Sequence, residues 1–195
     1  MKGNRMHVQD LILLVIGNEK QKRLRGRTTL QKKLYFLSVL NETNLGFRPH
    51  YYGPYSSEVA ENLDILVSTG FLKEVTETFV SDASTISKDQ NIFGEIRRHT
   101  YSMTPDGNTV MKEIEREDGY PDWVQSLNLL NGKLSNNYFN TLSIAAKVHY
   151  IVNQQGSATR GQIREIAERY GWNIKHTQIE KVRLLLENLS LVSVE

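Results

Sequence analysis

Between Glu19 and Lys33 the chain carries Lys20, Lys22, Arg23, Arg25, Arg27, Lys32 and Lys33 against a single carboxylate. A positive excess of that density is what a nucleic-acid phosphate backbone attracts, although a solvated charged loop has the same composition. A second group, His50, Tyr51, Tyr52 and Tyr55, flanks Gly53-Pro54, a tight bend from which rings can be displayed. Tyrosine and arginine are enriched at binding hot spots, and tyrosine also stacks on bases. The candidate nucleic-acid contacts are therefore Arg25, Arg27, Thr28, Lys32, Lys33, Arg48, Asn62, Arg97 and Arg98, with phosphate rather than base edges as the main target. His50, Tyr52 and Tyr55 are the candidate contacts to a partner. Tyr51 or Tyr52 is expected to turn inward between two helices, which leaves Tyr55 and Arg48 as the better surface groups.

Catalytic chemistry has little to build on. The histidines at 7, 50, 99, 149 and 176 are isolated, and none has the i, i+4 spacing of a helical metal site. No carboxylate sits in an apolar run that would raise its pKa, and the glycines form neither a P-loop nor a dinucleotide fingerprint. No catalytic residue, metal or cofactor is expected, and an enzyme is a distant third reading. The absence of cysteine excludes a disulfide framework and fits the cytoplasm. A net charge of +2, with 39% hydrophobic and 24% charged residues, fits a globular protein with no membrane span.

The elements that must position these groups are legible in the apolar spacing. Val8, Leu11, Ile12, Val15 and Ile16 form a helical stripe. Thr28 or Thr29 is placed to cap a second helix whose inner face holds Leu30, Leu34 and Leu37, with Phe36 and Leu40. Residues 47–55 are too rich in proline and glycine for regular structure. Ser56 or Ser57 caps a third helix with Val59, Leu63, Leu66 and Val67 inside, and Gly70 closes it. Residues 71–80 and 95–103 read as two strands, with a polar tip at 81–91, and Thr104-Pro105 opens a fourth helix.

This order predicts an α+β, mainly helical protein: a winged-helix domain over 1–117 with a long two-stranded wing at about 79–96. A connector follows at 118–137, expected as a short helix packed on the first domain. Residues 138–195 give three more helices and a terminal strand at 191–194, a second winged-helix-like block. The third helix of such a fold usually enters the major groove, yet here its exposed positions include Glu58, Glu61 and Asp64.

The run from Arg27 to Leu37, the segment Tyr51-Tyr52-Gly53-Pro54-Tyr55-Ser56 and residues 66–72 resemble the YwgA-type prokaryotic proteins. More distantly, they are similar to the Panacea domain of SocA-type antitoxins, which shows a Leu-Gln-Lys plus Leu-Tyr-Phe helix followed by a Tyr-Gly-Pro turn. In the Panacea group valine and proline typically follow the turn, where this chain has Tyr55 and Ser56. The resemblance covers roughly residues 8–75. It implies a cytoplasmic prokaryotic protein that binds another macromolecule, with a toxin-like polypeptide as a rival to DNA. The expectation is a DNA-binding regulatory protein on double-stranded DNA; the alternative is a protein-interaction module of the antitoxin or adaptor kind. A homodimer could form through the terminal strand and the helix before it.

Overall fold

The computed structural model describes residues 6–80, 95–134 and 138–191. The chain is α+β and mainly helical. Its order is α1 (Val8–Gly17), β1 (Arg23–Arg25), α2 (Arg27–Leu40), β2 (Arg48–His50), β3 (Gly53–Tyr55), α3 (Ser57–Ser68), β4 (Leu72–Val80) and β5 (Glu95–Met103). Then come α4 (Pro105–Ile114), α5 (Tyr120–Lys133), α6 (Tyr138–Gln155), α7 (Arg160–Arg169) and α8 (His176–Asn188). The expected wing tip at 81–91 lies outside the described residues, as does the expected terminal strand beyond residue 191.

Two of the expected loops are strands. Arg23-Leu24-Arg25 alternates exposed, buried, exposed, the period of a half-buried strand. It pairs antiparallel with β5, Leu24 opposite Tyr101, and the sheet order is β1-β5-β4. Residues 48–55 form a hairpin in which Arg48 faces Tyr55, Pro49 faces Pro54 and His50 faces Gly53. The two prolines face each other, so neither deprives the hairpin of a required donor.

α2 is the centre of the molecule. Thr29 to Ser38 are all buried, because the helix is packed against α1, α5, α6, β1 and β3. The expected one-sided helix is thus corrected: a helix covered on every side buries its polar face too. Leu30, Leu34 and Leu37 join α1, α3, α4 and the sheet in one apolar cluster. Tyr35 and Phe36 join α6, α7 and α8 in another. The cap also differs, since Gly26, at φ 91°, precedes the first turn and no side chain caps it.

The other helix ends follow the sequence signals. The Ser56 hydroxyl accepts from the Val59 amide, and the Thr104 hydroxyl accepts from the Gly107 amide with Pro105 in the first helical position. Gly107 is needed for close approach, because a Cβ there would sit 2.2 Å from the Phe71 carbonyl oxygen. The segment expected as a connector is a 14-residue helix, α5, whose Trp123 and Leu127 enter the first cluster and Leu130 the second. Among the described residues, no helix is long and apolar enough to cross a membrane.

Candidate binding site

α2 builds the site by holding the β2–β3 hairpin with polar side chains. The Gln31 carboxamide donates to the Ser56 carbonyl and accepts from the Ser56 amide, both at 2.9 Å. One residue on, the Lys32 amine donates to the Pro54 carbonyl at 2.6 Å. From the other side, the indole of Trp172 donates to the His50 carbonyl at 2.7 Å. The hairpin is clamped along its length, and its turn residues Tyr51 and Tyr52 are thrust outward.

That exposure corrects the expected packing of Tyr51 or Tyr52. Both are exposed, at 46% and 42%, and their rings meet edge to face at 4.9 Å. The hairpin is too short to reach the cores with its turn. His50 lies against Tyr55 at 5.0 Å, so the rim of the hairpin is a patch of rings. Gly53 makes the turn possible in two ways. Its φ is +104°, and a Cβ there would come within 3.0 Å of Lys147 Cγ and 3.1 Å of Lys32 Cε.

Two clefts open beside this rim. The first, of about 100 Å³, has walls from α2 and α3 (Arg27, Leu30, Ala60, Leu63) and from His50, Tyr52 and Tyr55 of the hairpin. The second, of about 460 Å³, lies between Thr29 of α2, Arg97 of β5 and the first turns of α6, including Phe139 and Asn140. Thr28, Lys32 and Tyr52 line both clefts, so Lys32 sits where they meet. The fold thus brings Arg27, Thr28, Lys32 and Arg97 from the expected nucleic-acid set together with all three expected partner contacts.

The electrostatics differ from a phosphate platform. Lys32 and Lys33 are each only 2% exposed, which corrects their expected role as phosphate contacts. Burial first, and then the charge of Lys147, push the Lys32 amine down to about 7. Lys33 is spoken for by Glu19 and by the Asn131 carboxamide oxygen at 2.8 Å. Arg27 is half-exposed and donates to Asp64 at 2.8 Å and to the Tyr101 hydroxyl at 2.6 Å. Tyr101 in turn donates to Glu74 at 2.6 Å. Burial raises the Glu74 carboxyl, but bonds from Tyr101, His99 and Arg27 outweigh it and hold it low.

Other expected contacts are scattered. Arg25 and Arg98 are exposed on one face of the sheet, with Arg23 and Lys73 beside them. Arg97, the neighbour of Arg98 in β5, faces the opposite way, toward the second cleft. Arg48 is exposed on β2, across the hairpin from Tyr55. The Asn62 carboxamide donates to the Glu58 carbonyl of its own helix at 2.8 Å, so it is not presented to a base. Sequence reasoning missed Gln31, Lys147, Trp172 and Phe139. Nothing local singled out Gln31 within the polar stretch Gln31-Lys32-Lys33, and the rest lie more than eighty positions from the hairpin.

No family model matches the chain, and no curated protein shows significant similarity to it.

Proposed function

We propose that this chain is a winged-helix protein-interaction module, of the antitoxin or adaptor kind, that seats a polypeptide segment in the groove between α2, the β2–β3 hairpin and α3. The order α1, β1, α2, α3, β4, β5, with the β2–β3 hairpin inserted between α2 and α3 and with β1 paired to β5, supports the winged-helix assignment. One observation carries the interaction reading. The central cations of the basic run are turned inward or matched by carboxylates, while Tyr52, Tyr55 and His50 line a cleft beside the exposed Tyr51. Rings next to an apolar cleft are what protein interfaces use as anchors, and Glu58, Glu61 and Asp64 repel phosphate from α3. The resemblance to Panacea-type antitoxins points the same way.

A second reading keeps DNA, on the strength of Arg23, Arg25, Lys73 and Arg98 sharing the outer face of the sheet. The two separate by salt dependence. Four phosphate contacts would weaken duplex binding about 150-fold between roughly 50 and 200 mM salt. The expected result is no such binding to a random 20-base-pair duplex in fluorescence anisotropy. Peptides selected from a displayed library should instead bind with little salt dependence and lose about 30-fold on Tyr52→Ala or Tyr55→Ala. Tight, salt-steep duplex binding abolished by the double change Arg25→Glu and Arg98→Glu would overturn the interaction reading.

A further inference from the structure

Lys32 poses an electrostatic problem that the fold does not solve by itself. Its amine is buried, and among the described residues its one hydrogen-bond partner is the neutral Pro54 carbonyl, with no carboxylate paired to it. Lys33, the next residue, is equally buried but has Glu19. The charge that acts on its amine is another cation, Lys147, whose stem and that of Lys32 both approach the place a Gly53 Cβ would take, at 3.0 and 3.1 Å. A buried ammonium without a counter-ion is costly, and its cost falls when a bound anion supplies the missing charge.

The surroundings match such an anion. Among the described residues, neither cleft that meets at Lys32 is lined by an aspartate or glutamate. The donors around the junction are the hydroxyls of Thr28, Thr29, Ser143 and Tyr52, with the amide of Asn140 and the guanidinium of Arg97. The first turn of α2, which has no side-chain cap, opens on the same space through Thr28 and Thr29. The first cleft is apolar on one side, with Leu30, Ala60 and Leu63, and the second, about 460 Å³ with Phe139 and Leu142 in its wall, is of a size that takes a ligand body. One buried ammonium balances one negative charge, which favours a monoanion over a phosphate dianion.

We propose that the junction of the two clefts is a carboxylate-binding site, in which Lys32 pairs with a carboxylate carried on an aromatic or aliphatic body. The carboxylate comes either from an acidic or C-terminal residue of a docked peptide or from a free carboxylic acid. The peptide source rests on the interaction reading above; the site itself does not.

The groups that face Lys32 are Lys147 of α6, His50, Tyr52 and Tyr55 of the hairpin, Arg97 of β5 and Arg27 of its own helix. Because the amine titrates at about 7, anion binding is coupled to its proton. Calorimetric titration with 3-phenylpropanoate should show binding that weakens about 25-fold from pH 6.5 to pH 8.5. 3-Phenylpropanamide, the neutral isostere, should bind at least about tenfold more weakly than the acid, and inorganic phosphate more weakly than either. Lys32→Met should remove the difference between acid and amide. On the protein without substitutions, uniformly labelled with ¹³C-lysine, the Lys32 Cε signal, assigned by its loss in Lys32→Met, should move with added acid and stay still with amide. A peptide ending in a free carboxylate, compared with its C-terminal amide, separates the peptide source from a free acid. Equal binding of acid and amide, an unmoved Lys32 signal, or no acid binding up to about 10 mM overturns the site. If displayed peptides still bind through Tyr52 and Tyr55 in that case, the interaction reading survives without it.

Discussion

Replacing Lys32 with methionine should make the protein more stable, and the gain should depend on pH in a way that no other lysine imitates. In the unfolded chain the amine holds its proton up to pH 10.5; in the folded protein it does so only up to about 7. Between those values the unfolded state binds more protons, so stability rises with pH, by about 1.4 kcal/mol per unit. The difference of 3.5 units, 10.5 less about 7, sets a ceiling of about 5 kcal/mol on the penalty at and below neutrality. With Lys32 only 2% exposed, water screens little of it. Methionine fills nearly the same volume but leaves the Pro54 carbonyl without its donor, a loss of about 1–3 kcal/mol. The net expectation is a gain of about 2 kcal/mol near pH 7. Urea unfolding of both proteins at several values from about pH 7 to 9.5 is the assay; the stability difference between them should shift by about 3 kcal/mol across that range. A difference that stays constant across the range would refute the reasoning, because it would mean that the Lys32 amine is solvated or paired in the folded state.

The buried pair Tyr35 and His149, 2.7 Å apart, makes the opposite end of the pH scale informative. Burial pushes the His149 imidazole down to about 4 from 6.5, so the unfolded state binds the extra proton between those values, and stability should fall by up to about 3 kcal/mol as pH drops through that window; an imidazole signal titrating near 6.5 in the folded protein would contradict this. Glu19→Gln should cost about 3–5 kcal/mol in chemical denaturation by stranding the Lys33 ammonium, while Glu19→Leu combined with Lys33→Met should be close to neutral; equal losses in the two would show that the pair is not acting as a buried ion pair. Gly53→Ala should destabilise by about 2 kcal/mol through its positive φ and should displace Lys32 and Lys147, read as a shift in their side-chain NMR signals; unchanged signals would show that the hairpin turn has another way to relax.

How much of this was legible in the sequence depends on whether a residue's fate is decided locally. The caps at Ser56 and Thr104 and the left-handed Gly70 follow from neighbours a few positions away, and they read correctly, whereas α1, read as a one-sided stripe, is buried all round from Leu11 to Ile16. β1 did not read as a strand because three residues carry too little periodicity, and its partner β5 lies more than seventy residues downstream. The inward turn of Lys32 and Lys33 was illegible for a related reason. Charge predicts exposure unless something packs over it, and what packs over α2 is α5 and α6, a hundred positions away. Reversing Arg25, Arg27, Lys32 and Lys33 together to glutamate would place carboxylates in the protein interior. Loss of DNA binding in that variant would report unfolding instead of a lost contact.

The same burial changes what the Leu30-Gln31-Lys32 and Tyr52-Gly53-Pro54-Tyr55-Ser56 segments signify. Read as sequence, they are a polar helix followed by an aromatic turn. In the fold they are one unit. Gln31 takes both backbone groups of Ser56, Lys32 takes the carbonyl of Pro54, and Gly53 lets two lysine stems pass where a side chain would stand. The polar residues of the helix are therefore committed to holding the turn, and the turn's rings are what remains for a partner. Gln31→Leu tests that division of labour. It removes both bonds to Ser56 while keeping an apolar side chain of similar size, leaves the Ser56 amide unpaired while the Ser56 carbonyl keeps the Ala60 amide, and should cost about 1–3 kcal/mol. Hydrogen exchange at the Ser56 amide should rise far more than at α1 amides. If instead the Ser56 amide stays as protected as before, the hairpin is held by Trp172 and Lys32 alone, and the helix and turn are not the single unit described.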